Sequence, residues 1–354
     1  MARIFYSLAG EGRGHATRVR ALVENLRLNH EVTLFTYGDA YALLKPLYRD
    51  TNVRIRPIHG PRFVYRGLEL DYFRSGLGGV RYAARVLPEM VDLLSARIRR
   101  EKPDLVITDL EPALPRAALL CGVPFVSLNH QHFLVVNDLS SLPARLRWYG
   151  EFLGSVVRAY HHGQAKTIVS SFYSAPLKPK YENEVVQVGV LLRPEVLFTT
   201  PYSGGYFVAY LRRFVGQWVL DALKACPQRV MVYGLGERPP EGNLTFRRVT
   251  ADGFLEDLAG CEALISTAGN QVVGEALYLE KPVLAVPEPG NFEQRINAHF
   301  LKESGAGDWA SSDTLTPSFV RGFLDRLGLF RAAIRPEAVN GTPAVVKALR
   351  PYLS

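Results

Sequence analysis

The amino-acid sequence predicts an α/β protein made of two doubly wound domains, each with a parallel sheet. Short apolar runs of strand length alternate with helical patterns along the chain. Such alternation is typical of strands joined by crossover helices. The 354 residues are enough for two domains of ordinary size.

The first domain is predicted over residues 1–190. Its expected strands are short and rich in apolar residues, at 3–8, 31–36, 53–58, 104–108, 124–128, 167–170 and 185–188. The segments between them carry helical patterns, at 15–28, 41–48, 78–100, 112–121 and 143–164.

The second domain is predicted over residues 206–335, after a linker at 191–205 in which no regular period survives. The alternation restarts over 206–211, 214–225, 229–233, 244–248, 254–259, 263–266 and 282–286. A final helix is predicted over 336–354. Doubly wound domains bind ligands outside the carboxyl ends of their strands, so a cleft between the two domains is expected.

Composition excludes several classes of protein. Apolar residues make up 47% of the chain and charged residues 21%, which describes a soluble globular protein and not a disordered one. No run approaches the roughly 18 apolar residues of a membrane span, and the apolar run at 4–9 is too short for a signal peptide. Cys121, Cys226 and Cys261 are widely spaced, as expected of reduced core thiols in a cytoplasmic protein.

The turn that follows the apolar run 263–265 has the pattern of a phosphate site. A strand that leads directly into a helix presents free backbone N–H groups and the positive end of the helix dipole. We therefore assign Gly269, Asn270 and Gln271 of this turn to a diphosphate, and Ser266 before them to the nucleotide-sugar. Glu275 lies within two turns of the helix start, where its carboxylate could bind ribose hydroxyls.

A second buried run, at 282–286, leads into a polar turn with Glu293, Gln294 and Asn297. Glu293 and Gln294 open the next helix and could hydrogen-bond a sugar. Diphosphate, ribose and sugar are the three parts of a nucleotide-sugar, so these residues predict a nucleotide-sugar donor.

A glycine-rich loop with Gly10, Gly12 and Gly14 follows the first predicted strand. Glycines allow the backbone to approach a ligand closely, and Gly12 and Gly14 are assigned to the nucleotide-sugar. The loop does not have the dinucleotide pattern, because His15 stands where its last glycine belongs, and it lacks a P-loop lysine. His15 begins a helix at the expected cleft and is a candidate general base for an acceptor hydroxyl.

Two other strand ends carry candidate polar side chains. Asp109 ends the run 103–109, and Glu111 follows two residues later; either carboxylate could cap the helix near residue 112. His130 and His132 follow the strand at 124–128 and, with Glu111, are assigned to the acceptor. The alternative for both histidines is a structural role, and no third ligand suggests a metal.

The block from Ser266 to Ala298 resembles the nucleotide-sugar site of glycosyltransferases with the GT-B fold. It is similar to the UDP-glucosyl/glucuronosyltransferase type and to the transferase that adds N-acetylglucosamine to lipid-linked muramoyl-pentapeptide (families 1 and 28). The shared features are the spacing of Gly269 and Glu275, the Lys281-Pro-Val step, and Glu293-Gln294 ahead of Asn297-Ala298. The first glycine loop resembles the Gly-x-Gly-x-Gly-His opening of the same enzymes.

The resemblance implies a catalytic His15 oriented by Asp109, or by Glu111 instead. It also implies a last helix that crosses back to the first domain. Retaining relatives carry a Glu-x7-Glu pair; Glu275 would be its second member, but Thr267 occupies the other position, which implies inversion. Glu280 and Glu288 have that spacing in the wrong phase of the pattern. No Asp-x-Asp is present, so neither a metal nor another cofactor is expected. Thr267-Ala-Gly also replaces the usual His-Gly-Gly, which leaves UDP and dTDP donors open.

Partners beyond donor and acceptor are suggested by charge. The segment from Arg54 to Arg100 contains ten arginines but only four acidic residues, with aromatic residues interleaved. A second basic and aromatic stretch begins at Arg145. These stretches suit an anionic membrane or a lipid-linked acceptor on the inner membrane face, or simply form a solvated surface. No nucleic-acid module accompanies them, so no nucleic acid is expected. One alternative is a nucleotide-sugar hydrolase of the same fold, because His15 and Arg18 resemble the Gly-x-Gly-His-x-x-x-Arg-like opening of such hydrolases. The others are a non-catalytic sugar-nucleotide sensor or nucleic-acid binder and, less favoured, a 2-epimerase.

Overall fold

The structure is a computed structural model that describes residues 1–11, 13–61, 65–66, 69–70, 72–160, 162–212, 216–311 and 313–353. The chain divides into two compact units. Unit 1 comprises Met1–Pro194 and Gly341–Ser354, and unit 2 comprises Glu195–Asn340. Each unit has its own parallel sheet, which confirms the predicted class of two parallel-sheet α/β domains.

Unit 1 contains a seven-stranded sheet and a short hairpin. Its strands are β1 (Arg3–Leu8), β2 (Glu31–Thr36), β3 (Arg54–Pro57), β4 (Tyr65–Arg66), β5 (Glu69–Leu70), β6 (Leu105–Asp109), β7 (Phe125–Asn129), β8 (Lys166–Ser170) and β9 (Val185–Val188). The sheet order is β3-β2-β1-β6-β7-β8-β9 with all neighbours parallel, while β4 and β5 pair antiparallel. The chain moves outward from β1 in one direction and from β6 in the other, so β1 and β6 form the topological switch point.

Helices cover both faces of the unit 1 sheet. They are α1 (Gly14–Leu26), α2 (Gly38–Leu47), α3 (Tyr72–Arg81), α4 (Leu87–Glu101), α5 (Ala113–Leu120), α6 (Phe133–Val136) and α7 (Ala144–Tyr160). Successive side chains of β1 point to opposite faces. Tyr6 therefore packs in the core beside α1 and α2, and Phe5 packs in the core beside α4 and α5.

Unit 2 has a six-stranded parallel sheet with a corresponding switch point. Its strands are β10 (Phe207–Tyr210), β11 (Val230–Tyr233), β12 (Leu244–Arg247), β13 (Leu264–Ser266), β14 (Val283–Ala285) and β15 (Gly307–Trp309). The order is β12-β11-β10-β13-β14-β15, so the switch point lies between β10 and β13. After α8 (Pro194–Leu197) at the unit boundary, its helices are α9 (Gln217–Leu223), α10 (Ala251–Gly260), α11 (Asn270–Tyr278), α12 (Phe292–Glu303), α13 (Pro317–Leu324), α14 (Leu327–Ala333) and α15 (Pro336–Val339).

The single C-terminal helix predicted over 336–354 is wrong. The chain forms α15, then α16 (Thr342–Leu349), and then a 3-10 turn at Arg350–Tyr352. The break falls at Gly341, whose N–H donates to the Val190 carbonyl oxygen at 2.9 Å. A Cβ at Gly341 would lie 2.1 Å from the Gly189 carbonyl oxygen, so the close approach requires glycine. Beyond it, α16 packs against α1 and β9.

Other differences concern short elements. The helix predicted over 78–100 is α3 and α4, with a π-helical turn at Tyr82–Val86 between them. The sequence did not predict α6, α8, the β4–β5 hairpin, β15 or the pair α13 and α14. Strand β15 is three residues long and contains a glycine and an aspartate, so it carries no readable apolar period.

Replacing Leu349 by Ala is expected to lower the free energy of unfolding by about 2–5 kcal/mol. Leu349 is fully buried in the unit 1 core together with Val345, so truncation leaves a cavity. Leu329→Ala, at an exposed position of α14, is the matched control and should change stability by less than about 0.5 kcal/mol. Urea unfolding of both variants tests this, and equal effects would contradict the packing of α16.

Candidate active site

The carboxyl ends of β1 and β6 bring the first glycine loop close to Asp109. Leu8 and Asp109 are register partners, and the Ala9 N–H donates to the Asp109 carbonyl oxygen at 2.9 Å. The loop after β1 then leads into α1, which carries His15 in its first turn. The sheet topology therefore places the predicted base and its predicted partner at one switch point.

The three glycines of this loop differ in their surroundings. A Cβ at Gly14 would meet nothing within 4 Å, so the backbone there is open. A Cβ at Gly10 would lie 2.3 Å from the Tyr37 carbonyl oxygen, which means that packing explains this glycine. Gly12 lies outside the described residues. The assignments of Gly12 and Gly14 to the ligand stay predictions.

Asp109 joins His15 to Arg18, a residue that the sequence analysis did not place in the site. His15 Nδ1 lies 2.9 Å from Asp109 Oδ1. Arg18 donates from Nη2 to Asp109 Oδ1 at 2.8 Å and from Nε to Oδ2 at 2.9 Å. Asp109 and Arg18 are buried, whereas the His15 side chain keeps 14% of its surface exposed.

These contacts determine the tautomer of His15. An ionised carboxylate only accepts hydrogen bonds, so the contact with Asp109 requires a proton on His15 Nδ1. Arg18 Nη2 lies 3.1 Å from the same nitrogen, but a protonated Nδ1 has no lone pair to receive it. Nε2 of the neutral ring therefore carries the lone pair, as a general base needs.

Opposing effects act on the pKa of Asp109. Complete burial raises it, but the charges and hydrogen bonds of Arg18 and His15 outweigh burial and lower the pKa to about 2. The carboxyl group is thus ionised at neutral pH. Leu110, the next residue, has a left-handed φ of 57°.

Both carboxylate oxygens of Glu111 accept hydrogen bonds from N–H groups at the start of α5. Its Oε1 accepts from the Ala113 N–H at 2.7 Å and its Oε2 accepts from the Leu114 N–H at 2.9 Å. Burial raises the pKa of Glu111 despite these two bonds. Of the two carboxylates that could orient His15, the structure brings Asp109 to it and uses Glu111 as a helix cap. An acceptor contact for Glu111 stays a prediction.

His130 and His132 follow β7 and are both buried. Asn129 Oδ1 accepts from the His132 N–H at 2.9 Å, and Asn129 Nδ2 lies 2.9 Å from His132 Nδ1. Burial lowers the pKa of His132 to about 4. The His130 ring packs 4.8 Å from the Phe133 ring, centroid to centroid. Acceptor binding by either histidine stays a prediction.

The predicted diphosphate turn joins β13 to α11. Ser266 ends the strand, Ala268 has a left-handed φ of 62°, and Gly269 precedes the first helical residue. The N-cap residue Gly269 has no side chain that could cap this helix. An alanine in the left-handed region costs about 1–2 kcal/mol, and such strain is often found at functional sites.

Two polar side chains mark the same turn. Asn297, from α12, donates through Nδ2 to the Ala268 carbonyl oxygen at 3.0 Å and so supports the strained residue. The Ser266 hydroxyl is fully buried, and it has no hydrogen-bond partner among the described residues. A buried hydroxyl of this kind calls for a further partner.

The remaining predicted donor residues lie on α11 and α12. Gln271 Nε2 donates to Glu275 Oε1 at 3.2 Å, which links a predicted diphosphate residue to the predicted ribose residue. Gln294 is held by Glu288: its Oε1 accepts from the Glu288 N–H at 2.8 Å, and its Nε2 donates to Glu288 Oε2 at 3.1 Å. Asn270 is buried and Glu293 is half-buried.

Three charged residues of these regions were missed from the sequence. Arg18 was noted only for its match to the opening of nucleotide-sugar hydrolases, although its three-residue spacing from His15 places both side chains on one helix face. Glu288 was set aside because its pair with Glu280 has the Glu-x7-Glu spacing in the wrong phase of the pattern. Arg212, whose Nη1 lies 3.5 Å from Glu288 Oε2, carried no sequence signal at all.

The described part of the chain has neither a metal-binding group nor a membrane-spanning helix. No group of three or more His, Cys, Asp or Glu side chains is arranged there to hold a metal ion. No helix there has the length and apolar character needed to cross a membrane.

A glycosyltransferase family and two glycosyltransferase relatives match most of the chain. Residues 2–328 match the family described as glycosyl transferase family 1. An uncharacterized glycosyltransferase of Methanosarcina mazei is 26% identical over 345 residues, covering 88% of this chain and 86% of that protein. A second, from Methanosarcina acetivorans, is 24% identical over 338 residues with the same coverages.

Solved glycosyltransferases share the fold over nearly the whole chain. UGT89C1 of Arabidopsis thaliana, complexed with UDP-L-rhamnose, has a TM-score of 0.72 at 13% identity and covers 100% of this chain and 99% of that chain. CalG4, the calicheamicin glycosyltransferase, has a TM-score of 0.68 at 18% identity and covers 100% of this chain and 98% of that chain. VinC, in complex with dTDP, has a TM-score of 0.60 at 17% identity and covers 99% of each chain.

The two parallel-sheet domains and these neighbours define a glycosyltransferase with the GT-B fold. The chain belongs to glycosyl transferase family 1. The resemblance read from the Ser266 block is thereby confirmed.

The low pKa of His132 predicts a stability loss in mild acid. As pH falls from about 6.5, the unfolded chain binds a proton on this histidine, while the folded chain leaves it neutral until about pH 4. Stability is therefore lost through this window, by up to about 3 kcal/mol in total. Urea unfolding at pH 7.5, 6, 5 and 4.5 measures it.

His132→Gln removes this titration and is expected to flatten the pH dependence, whatever its effect on stability at pH 7.5. His162→Gln, at an exposed histidine, is the control and should keep the slope of the wild type. A slope that is unchanged in His132→Gln would show that His132 titrates normally.

Proposed function

We propose that the protein is an inverting, metal-independent glycosyltransferase that moves a sugar from a UDP- or dTDP-linked donor to a hydroxyl acceptor. The observation that carries the proposal is the 2.9 Å contact between His15 Nδ1 and Asp109 Oδ1, which leaves Nε2 as the base. The UDP-L-rhamnose of UGT89C1 and the dTDP of VinC support the donor class by analogy.

Unit 2 binds the donor in this proposal. The start of α11, whose N-cap residue is a glycine, offers the N–H groups of Asn270 and Gln271 to the diphosphate. Ser266 supplies a hydroxyl to the same group. Glu275 binds the ribose, and Glu293 with Gln294 binds the sugar. Asn297 acts indirectly, because its amide group holds Ala268.

Unit 1 supplies the base and binds the acceptor. His15 Nε2 takes the proton of the acceptor hydroxyl while the acceptor oxygen attacks the anomeric carbon. The bond from that carbon to the phosphate oxygen breaks, and its electron pair leaves with the diphosphate. Attack opposite the leaving group inverts the anomeric centre, and Asp109 stabilises the imidazolium that forms. Backbone N–H groups replace a metal in neutralising the leaving group.

Hydrolysis of the same donor is the second candidate. Water would replace the acceptor, and the base and donor sites would be unchanged. The observation that favours it is Arg18, because nucleotide-sugar hydrolases of this fold resemble the chain in a histidine and a following arginine at this loop. Donor turnover without any acceptor would support hydrolysis.

The exposed surface of unit 1 supports docking to an anionic membrane. On α7, Trp148 is 69% and Phe152 is 56% exposed, and their rings stack with centroids 6.0 Å apart. On α3, Leu77 and Val80 are exposed too. Exposed arginines accompany both helices, at Arg74, Arg81, Arg85, Arg145 and Arg147. Aromatic side chains beside arginines suit the headgroup region of an anionic bilayer.

His15→Ala is expected to lower the rate of sugar transfer by about 10²–10⁴-fold. Affinity for UDP or dTDP should stay within about twofold, because the substitution removes none of the residues that are assigned to the nucleotide-sugar. His162→Ala is the matched control and should retain full activity. Product chromatography with a panel of hydroxyl acceptors measures transfer and hydrolysis together. Full turnover by His15→Ala would refute the base assignment.

A Trp148→Ala, Phe152→Ala double variant is expected to bind anionic vesicles at least about tenfold more weakly than the wild type. Co-sedimentation with phosphatidylglycerol-containing and purely phosphatidylcholine vesicles measures this. Phe198→Ala removes an exposed aromatic ring from unit 2 and should bind as the wild type does. Equal binding of the wild type to both kinds of vesicle would argue against the proposal.

A further inference from the structure

Arg212 and Glu288 come from the two strands that flank β13. Arg212 follows β10 and Glu288 follows β14, and both strands pair with β13. Tyr210, two residues before Arg212, is the register partner of Ser266. Both charged residues therefore lie at the carboxyl end of the sheet, at the switch point where the diphosphate turn begins.

The two side chains meet across the end of β13. Arg212 Nη1 lies 3.5 Å from Glu288 Oε2, and the Arg212 side chain is 42% exposed. A half-exposed pair at this distance changes an equilibrium by no more than about fivefold. A charge-assisted hydrogen bond to a phosphate is worth about tenfold or more. A diphosphate at the turn would therefore compete successfully for the guanidinium group.

Glu288 has one oxygen that the protein does not use. Oε2 accepts from Gln294 Nε2 and faces Arg212, whereas Oε1 has no hydrogen-bond partner among the described residues. The side chain is only 8% exposed, so Oε1 gains little from bulk water, and a buried carboxylate oxygen without a donor is costly. A ligand hydroxyl is a fitting donor, because Glu288 lies between Gln294, the predicted sugar residue, and Arg212 at the turn.

We propose that Arg212 and Glu288 complete the donor site, and that Glu288 selects a neutral sugar. This inference rests on the nucleotide-sugar donor of the proposed function. When the donor binds, the Arg212 guanidinium group leaves Glu288 and pairs with the donor diphosphate. It adds a positive charge, which the backbone N–H groups lack. Glu288 Oε1 then accepts a hydrogen bond from a sugar hydroxyl. A uronic acid would bring a second carboxylate to this position, so like-charge repulsion disfavours it.

Isothermal titration with UDP, dTDP, UDP-glucose and UDP-glucuronic acid tests both roles. Arg212→Gln should weaken binding of the preferred nucleoside diphosphate by about 10- to 100-fold, and Arg212→Lys should restore part of the loss. Arg238→Gln is the matched control, since Arg238 lies on the same unit with a 37% exposed side chain, 3.3 Å from Glu241. It should bind as the wild type does.

Glu288→Gln separates the sugar from the diphosphate. The wild type should prefer UDP-glucose to UDP-glucuronic acid by at least about tenfold, and the variant should lose most of this preference while UDP affinity stays within about threefold. Wild-type affinity in Arg212→Gln, or an unchanged sugar preference in Glu288→Gln, would overturn this inference but leave the proposed donor class standing. A wild type that binds none of the four probes would refute the donor class itself. Thermal unfolding of each variant separates misfolding from loss of binding.

Discussion

Asp109 holds an ionised carboxylate at a position that is fully buried, at the end of a central strand. Removing such a charge from water costs several kcal/mol unless good hydrogen bonds offset it. Arg18 and His15 provide them, and both come from the start of α1. The same bonds therefore neutralise the charge, fix the start of α1 against β6 and leave His15 Nε2 on the side of the ring away from Asp109. Fold and chemistry in unit 1 rest on one set of contacts.

Unit 2 stabilises its switch point by different means. Its turn relies on a strained backbone at Ala268, supported by the Asn297 amide group. Gln294 is likewise committed to Glu288. Side chains of α12 thus hold the shape of the turn and of the segment after β14. Polar residues near a ligand site form hydrogen bonds both to the protein and to the ligand. The bonds to the protein fix the geometry in which the ligand is bound.

The sequence predicted what depends on local pattern. Buried strands such as β1 and β6 are apolar runs of the right length, and the position of Asp109 at a strand end follows from them. The role of Arg18 depends on how α1 is rotated against β6, and the contact between Arg212 and Glu288 depends on the order of strands in the sheet. The break at Gly341 depends on the backbone at Gly189, which lies 152 residues earlier in the chain. Tertiary contacts of this kind leave no periodic signal.

The return of the chain at Gly341 makes unit 2 an insertion within unit 1. Val345 and Leu349 belong to the same core as Val19 and Leu22, although more than 300 residues separate them in the chain. During synthesis, which proceeds from the N-terminus, the core of unit 1 stays incomplete until its last helix has left the ribosome. Unit 2 is complete by Asn340, so the unit that begins second can finish folding first.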